Sequence, residues 1–383
     1  MSKKGSARMI DLDHAATTPV RAQVLEAMLP YFRTYAGNAS GAYAAARTAR
    51  EAIDRARTRV AAGIGAQPGE ITFTSGGTES DNWALWGMIG GACAGKHVIT
   101  TQVEHHAVLN ACQVLERRGV EVTYLPVDAQ GCVEPQSVRH ALRPQTVLVS
   151  VMLANNEVGT IEPVRAISCI AHEHGVPVHT DAVQAVGHIP VDVDELGVDL
   201  LSLSAHKFGG PKGIGALYVR SGIRLEPLLY GGAQERGLRP GTENTPAIVG
   251  MGYALELAVQ EMPEASLRTA GLRDALMRGI LSSFPHARVN GSMAHRLPGN
   301  LHVTLPGIDT RVLLMRLDMA GIAASAGSAC ASGAVERSHV LRAMGVPEGE
   351  RLADLRLTIG TENTVQDVEQ TIGALTRILS ASH

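Results

Sequence analysis

Three short segments of this sequence carry residue types that chemistry can use. Thr74-Ser75-Gly76-Gly77-Thr78 follows an apolar run and opens a helical stretch. Glycines there let the backbone approach an anion, and the first turn of a helix offers free N–H groups and a favourable dipole. The segment lacks the Gly-Lys-Ser/Thr of a nucleotide-binding P-loop, and an ordinary strand-to-helix turn reads the same way. His179-Thr180-Asp181-Ala182-Val183-Gln184 ends a second apolar run. Asp181 therefore stands where open α/β sheets bind ligands, although capping a helix is the commoner use of such an aspartate. Ser204-Ala205-His206-Lys207 leaves a third apolar run into the glycine-rich loop Phe208-Gly209-Gly210-Pro211. A lysine at the end of a buried strand differs from a solvated one, because burial lowers its pKa toward that of a nucleophilic amine.

Each segment alone has a structural explanation. Together they describe an anion cradle, a buried acid and an amine, which is what pyridoxal 5'-phosphate (PLP) needs. Its phosphate takes the cradle, the acid keeps its ring nitrogen protonated so that the ring can act as an electron sink, and the amine holds its aldehyde carbon. The expectation is a PLP enzyme with the cofactor on Lys207 as a Schiff base.

Residues so placed must be held by a sheet. Apolar runs at 71–74, 97–101, 120–125, 146–153, 176–179, 200–203 and 214–219 are the expected strands. Amphipathic stretches lie between the earlier ones, one with Val108, Cys112 and Leu115 on a single face and another with Val164, Ile167 and Ala171. Such alternation implies parallel pairing through crossovers and a sheet covered on both faces. Thr18-Pro19 offers a capped start for a helix running to about Phe32, and 44–63 reads as a second helix ended by glycine. After about Glu261 the texture changes. Helical stretches at 265–284 and 364–381 flank short strands near 300–305 and 355–359, suggesting a smaller α+β domain. The expected domains are 17–260, and 1–16 with 261–383.

The 383 residues are 45% hydrophobic and 19% charged with net charge −3, a globular composition without the basic patch of a nucleic-acid or membrane binder. The uncharged stretch 82–95 is too short to span a bilayer and reads as a buried helix or a subunit contact. No apolar run follows Lys3, Lys4 and Arg8, so no signal peptide is expected. Five scattered cysteines without CxxC spacing fit a reducing cytoplasm and argue against a disulfide framework or a zinc site; no metal is expected.

The chain resembles the cysteine desulfurases of the NifS/IscS type, within the aminotransferase-like fold of PLP enzymes (fold type I). The resemblance covers essentially its whole length. It rests on 12–19, 74–82, 104–108, Asn155-Asn156-Glu157-Val158-Gly159, 181–184, 204–207, 239–242 and Gly327-Ser328-Ala329-Cys330-Ala331-Ser332, the last being the most family-specific. It implies a large domain with a mainly parallel seven-stranded sheet and a smaller α+β domain. It implies a homodimer that converts L-cysteine to L-alanine and passes sulfur, as a persulfide on Cys330, to an acceptor protein. Lys207 would bind the cofactor and move protons, Asp181 pair with the pyridine nitrogen, and His105 stack on the ring and assist proton transfer. Gln184 and Asn156 would bond the ring hydroxyl and the substrate. Gly77, Thr78, Ser204 and His206 would hold the phosphate, with Thr242 reaching it from the neighbouring subunit. Asn38, Asn156 and Arg356 would contact the substrate, a guanidinium fork suiting its carboxylate.

Several positions admit plainer readings. His105 or His106 also suits a helix start, Arg356 a salt bridge, and the Asn155/Asn156 assignment can slip by one. Cys93, Cys112, Cys132 and Cys169 read as small hydrophobes. Cys330 differs, lying in a stretch from 323 to about 336 without a bulky anchor, which is expected to be mobile. Where the family has Gly-Asn-Pro-Ser-Ser-x-His, this chain has Gly37-Asn38-Ala39-Ser40-Gly41-Ala42-Tyr43, so Ala39, Gly41 and Tyr43 change that loop. An aminotransferase or other PLP lyase of the same fold, and a catalytically weak scaffold, are the rival readings.

Overall fold

The computed structural model describes residues 8–327, 337–349 and 351–380. The first strand is β1 (Ile10–Asp11). The main sheet follows as β2 (Ile71–Thr74), β3 (His97–Thr101), β4 (Glu121–Leu125), β5 (Thr146–Ser150), β6 (Val178–Asp181), β7 (Leu200–Ser204) and β8 (Gly215–Val219). The last four are β9 (Arg288–Asn290), β10 (Asn300–Pro306), β11 (Ile322–Ala323) and β12 (Leu352–Thr358). The helices that matter below are α1 (Ala22–Arg33), α2 (Ala44–Ala62), α3 (Gly77–Ile89), α4 (His106–Arg117), α5 (Val164–His172), α6 (Thr245–Ser283), α7 (Thr310–Met319) and α8 (Val365–Ser380).

The main sheet has the order β2-β8-β7-β6-β5-β3-β4. Strands β7, β6, β5, β3 and β4 pair in parallel, and β8 is antiparallel to both its neighbours, so β2 points the same way as the parallel set. This is the mainly parallel seven-stranded sheet the sequence led us to expect. Apart from the edge strand β4 its strands are largely buried, because helices cover both faces. One face packs on α1, α2, α5 and the first half of α6 through residues such as Val24, Ile53, Ile167 and Leu255. The other packs on α3 and α4 through Trp83, Leu85, Val108, Cys112 and Leu115. The uncharged stretch from residue 82 is thus largely the buried helix α3.

A second core gathers Ile10, Leu12, Leu301, Leu355, Leu313 and Leu375 around β10, β12, α7 and α8. The long helix α6 belongs to both cores, through Ala247–Ala258 in one and Leu272, Leu276 and Ile280 in the other. The helix expected from residue 265 therefore begins at Thr245 and continues through Pro263. A proline removes one backbone hydrogen bond, but apolar residues are anchored on either side of it, so the helix continues.

The start of α1 also differs from expectation. It begins at Ala22 after Arg21, which makes no side-chain cap. Thr18 is engaged elsewhere. Its hydroxyl donates to the carbonyl of His206 and accepts from the N–H of Gly209, both at 2.9 Å. The Thr18 oxygen is therefore committed to the loop that bears Lys207. Strand β6 sits two residues later than the expected 176–179, set by the pairing of His179 with Leu200. Among the described residues no helix is long and apolar enough to cross a membrane.

Candidate active site

Because β2, β3, β5, β6 and β7 run in one direction, the segments following them meet at one edge of the sheet. There they enclose a cavity of about 250 Å³. Gly77 and Thr78 reach it after β2, and His105 after β3. Met152 and Asn156 follow β5, Asp181 and Gln184 end and follow β6, and Ser204, His206 and Lys207 end and follow β7. This edge is where open α/β sheets bind ligands.

The cavity is electrically divided. At one end stand Gly77 and Thr78 in the first turn of α3, with Ser204 and His206. A Cβ on Gly77 would lie 2.7 Å from Val183 Cγ2, so the close packing of this turn requires glycine. Burial, then the nearby Lys207 and Lys212, pull His206 down to about 4, so it is a neutral imidazole here. At the other end, Asp181 is buried and its Oδ1 accepts from Val183 N at 2.9 Å. Burial raises its carboxyl, while His105 and Lys207 oppose that rise. Beside it Asp81 is buried, its Oδ1 has no hydrogen-bond partner, and burial followed by Asp181 raises its carboxyl well above the usual range.

Lys207 also lines the cavity. Its Nζ donates to the carbonyls of Ala15 at 2.6 Å and Ala16 at 2.9 Å. Burial first, then the charge of Arg356, lowers it to about 8, against the pull of Asp181 and Asp13. Gln184 Nε2 donates to the same Ala15 carbonyl at 3.0 Å. His105 is both a cavity residue and the cap of α4, its Nδ1 accepting from Ala107 N at 3.1 Å. A neutral His105 therefore carries its proton on Nε2. Burial lowers its pKa, with Asp181 acting in the opposite sense. His106 sits against His339 instead, ring centroids 4.7 Å apart.

The asparagine pair separates cleanly. Asn155 is fully buried, its Nδ2 donating to Val103 O and its Oδ1 accepting from the N–H groups of Glu157 and Val158. Asn156 faces the cavity, and its backbone carbonyl accepts from Arg356 Nη1 at 2.9 Å. Arg356, on β12, does make the salt bridge the plainer reading foresaw, Nη2 to Asp13 Oδ1 at 2.7 Å. Its Nε is buried without a partner.

Asn38 and Thr242 do not line the cavity. Asn38 is exposed; its N–H donates to the Tyr43 hydroxyl at 3.1 Å and its Oδ1 accepts from Ser40 N. A Cβ on Gly41 would sit 2.5 Å from the Tyr43 ring, so Gly41 and Tyr43 form one unit that replaces the family's loop. Thr242 is exposed and shares a separate pocket with Ser75 and Arg239. Cys330 lies outside the described residues. Of the other cysteines, Cys112 is buried and Cys132 half-buried, and burial is the first cause that pushes each thiol up to about 12. Cys169 is exposed on α5 rather than packed in the core.

Sequence reasoning missed Asp81 and Glu104 as parts of this region. Glu104 is fully buried, and its Oε1 accepts from Thr101 Oγ1 and Met152 N, both at 2.9 Å, tying the loop after β3 to that after β5. Nothing in the sequence set Asp81 apart from Glu79, the other acid at the start of α3.

The donors fit PLP. A dianionic phosphate suits the helix terminus with its hydroxyls, and Lys207 supplies the amine. One ligand atom each from Asp81, His105 and Asp181 lies within 4.8 Å of the others, a spacing suited to a cation. A protonated ring nitrogen is such a cation, and it would lower the raised carboxyl of Asp181.

Residues 10–371 match the aminotransferase class-V family. The chain is 50% identical over 373 residues to the cysteine desulfurase IscS of Methanosarcina thermophila, covering 97% of this chain and 92% of that one. Among solved structures it is similar to a NifS-like protein, with TM-score 0.91 and 38% identity over 97% of this chain and all of that one. It is also similar to SspA in complex with cysteine, with TM-score 0.81 and 39% identity over 93% of this chain and all of that one. Likeness of this degree over nearly the full length means that the chain belongs to the class-V aminotransferase family and, within it, to the PLP-dependent cysteine desulfurases of the NifS/IscS type.

Proposed function

We propose that this cavity takes L-cysteine together with PLP held on Lys207, and that the sulfur leaves as a persulfide on Cys330. The meeting of Lys207, Asp181 and the α3 terminus around one cavity carries this reading. Bound PLP supplies an electron sink that labilises bonds at the substrate's α-carbon. Asp181 keeps a proton on the ring nitrogen by its charge, and Gly77, Thr78, Ser204 and His206 fix the phosphate. His105 covers the ring and relays a proton through Nε2. Lys207, with a pKa near 8, is partly neutral at physiological pH and can accept and return a proton. Gln184 and Asn156 orient the ring hydroxyl and the substrate, while Arg356 guides its carboxylate; Asn38, outside the cavity, takes no part in this. The Cys330 thiolate bonds to the substrate sulfur as the carbon–sulfur bond breaks, and one proton goes to the former sulfur-bearing carbon to give alanine.

The working unit is a homodimer. Leu25, Leu29 and Phe32 form an exposed apolar stripe on α1, and Tyr230 is 86% exposed, surfaces suited to a second copy of the chain. Thr242 of the partner subunit completes the phosphate site. The chain divides into units 17–260 and 1–16 with 261–383, and it works in the cytoplasm with a sulfur-acceptor protein. The similarity to a structure in complex with cysteine supports the substrate. The test is incubation of the purified protein with L-cysteine, measuring alanine and protein-bound persulfide. Transamination of pyruvate without either product would overturn the proposal.

A further inference from the structure

Strand β2 and the turn that follows it are fastened to the loop at 231–242 in two places. The first is at the root of the loop. Strand β2 is an edge of the main sheet, so its outward backbone groups need partners. Glu235 Oε2 accepts from Phe73 N at 2.9 Å, while Arg57 Nη1 and Arg236 Nη2 each donate to Ile71 O at 2.8 Å. Arg57 holds Glu235 through two 2.7 Å hydrogen bonds with both side chains buried. Glu235 and Arg236 adopt left-handed backbone angles, φ 46° and 61°, which neither residue type favours; the buried ion pair holds them there. The second fastening is near the loop's tip. Arg239 Nε and Nη2 donate to the two oxygens of Glu79 at 2.8 and 3.1 Å, and Glu79 Oε2 also accepts from Ser75 N at 2.7 Å.

Glu79 stands in the first turn of α3, one residue after Thr78, and does not line the cofactor cavity. Burial pushes its carboxyl up, but the hydrogen bonds from Arg239 and Ser75 outweigh burial and hold it below its ordinary value, so it is an anion. A carboxylate this close to an anion cradle opposes phosphate by charge. Its neutralisation by Arg239 removes that opposition, while its bond to Ser75 N sets the shape of the turn.

We propose that Glu79 is a positioning residue shared by two cofactor sites: it shapes the Ser75–Thr78 turn of its own subunit and, through Arg239, holds the loop that presents Thr242 to the neighbour. This rests on the homodimer reading above. Ser75, Arg239 and Thr242 border one pocket of about 160 Å³, so the turn, the link and Thr242 are neighbours in space.

The test is PLP binding to the apoprotein, followed by absorbance, together with sedimentation and thermal unfolding of every variant. Arg239→Gln is expected to weaken PLP binding about tenfold, the size of one charge-assisted hydrogen-bond pair. Glu79→Gln, which keeps an acceptor for Ser75 N and removes the opposing charge, should lose only the link to the loop and so weaken binding less than Arg239→Gln, and the double variant should match Glu79→Gln. Additive losses, or unchanged binding in Arg239→Gln, would overturn the proposal. Mixed dimers then locate the effect by fixing PLP to Lys207 with borohydride. When one subunit carries Lys207→Ala with Arg239→Gln, the remaining Lys207 of the unaltered subunit should show the weakened binding. When Lys207→Ala and Arg239→Gln are on different subunits, the remaining Lys207 keeps the neighbour's loop intact and should show only the smaller loss that comes from the unpaired Glu79 carboxylate beside its own turn. The reverse pattern would overturn the cross-subunit link while leaving the dimer intact. A monomeric wild type that binds PLP fully would remove the dimer reading itself, and the proposal with it.

Discussion

Lys207 Nζ rests 2.6 Å from the carbonyl oxygen of Ala15, so the segment leading into the first helix bears directly on the amine. The Ala15 carbonyl is shared with Gln184, and the next residues, Thr17 and Thr18, bind His206 and the following loop. The N-terminal segment is thus part of the site, with Ile10 and Leu12 anchoring it in the second core.

Attachment of PLP to this amine needs its neutral form. Burial and Arg356 bring Lys207 to about 8 from an ordinary value near 10.5, so the neutral fraction rises through pH 8, not through pH 10.5. The rate at which apoprotein takes up PLP covalently, read by absorbance, should therefore climb between about pH 7 and 9 and then level off. A rate still rising steeply at pH 10 would contradict the burial of Lys207.

Removing the charge of Asp181 should separate binding from turnover. Its carboxyl is raised by burial beside Asp81, and a protonated ring nitrogen is the partner that restores its ionised form. Asp181→Asn keeps the shape and the bond from Val183 N but no longer holds that proton. PLP should still bind, while kcat falls roughly 10²-fold or more, the scale of losing one electrostatic group at a reacting centre. Steady-state kinetics beside a PLP titration will show it.

Arg356 offers a different signature. Its two terminal nitrogens are occupied by Asn156 O and Asp13, so the group is held beside the asparagine that lines the cavity. Lysine cannot reproduce that fork. Arg356→Lys should raise KM for L-cysteine roughly 10- to 100-fold, as loss of charged hydrogen bonding predicts, with the PLP spectrum of the resting enzyme unchanged. A fall in PLP affinity instead would make Arg356 part of the scaffold.

The parts of this site legible in the sequence share one property. Thr78, Asp181 and Lys207 each follow an apolar run, and parallel pairing carries the ends of those runs to a single edge. Position along a strand was enough to bring them together. Asp81 and Glu104 escaped because their importance lies in burial beside residues distant in sequence: Asp81 is pushed up by burial and then by Asp181, and Glu104 bonds Met152 N. The start of α1 was misplaced for a related reason. Thr18 has the side chain of a helix cap, but Gly209 claims its oxygen. Pro263 misled in the opposite direction, since burial on both sides of it carries α6 through.

The last prediction concerns which thiol takes the sulfur. A thiolate is the nucleophile, and an ordinary cysteine with a pKa of about 8.5 is only a few per cent ionised at neutral pH. Cys112 and Cys132, at about 12, are far poorer candidates. Cys169 is exposed and so is the control that matters, since exposure alone makes a thiol open to adventitious sulfuration. On the proposed reading Lys207 holds PLP, while Asp181 and Arg356 shape its response to L-cysteine, and none of the three is a thiol. Cys330→Ala should therefore stay yellow and respond spectrally to L-cysteine, yet release no alanine above background and carry no persulfide. Single replacement of Cys93, Cys112, Cys132 or Cys169 should leave both products within about twofold of wild type, the range of ordinary surface or packing changes. Wild-type activity should fall at mildly acidic pH, as protonation removes the thiolate or the base that forms it. Persulfide labelling of the five single variants after exposure to L-cysteine decides the matter: if Cys330→Ala remains labelled and active while Cys169→Ala loses both, the nucleophile is Cys169 and the assignment of Cys330 fails.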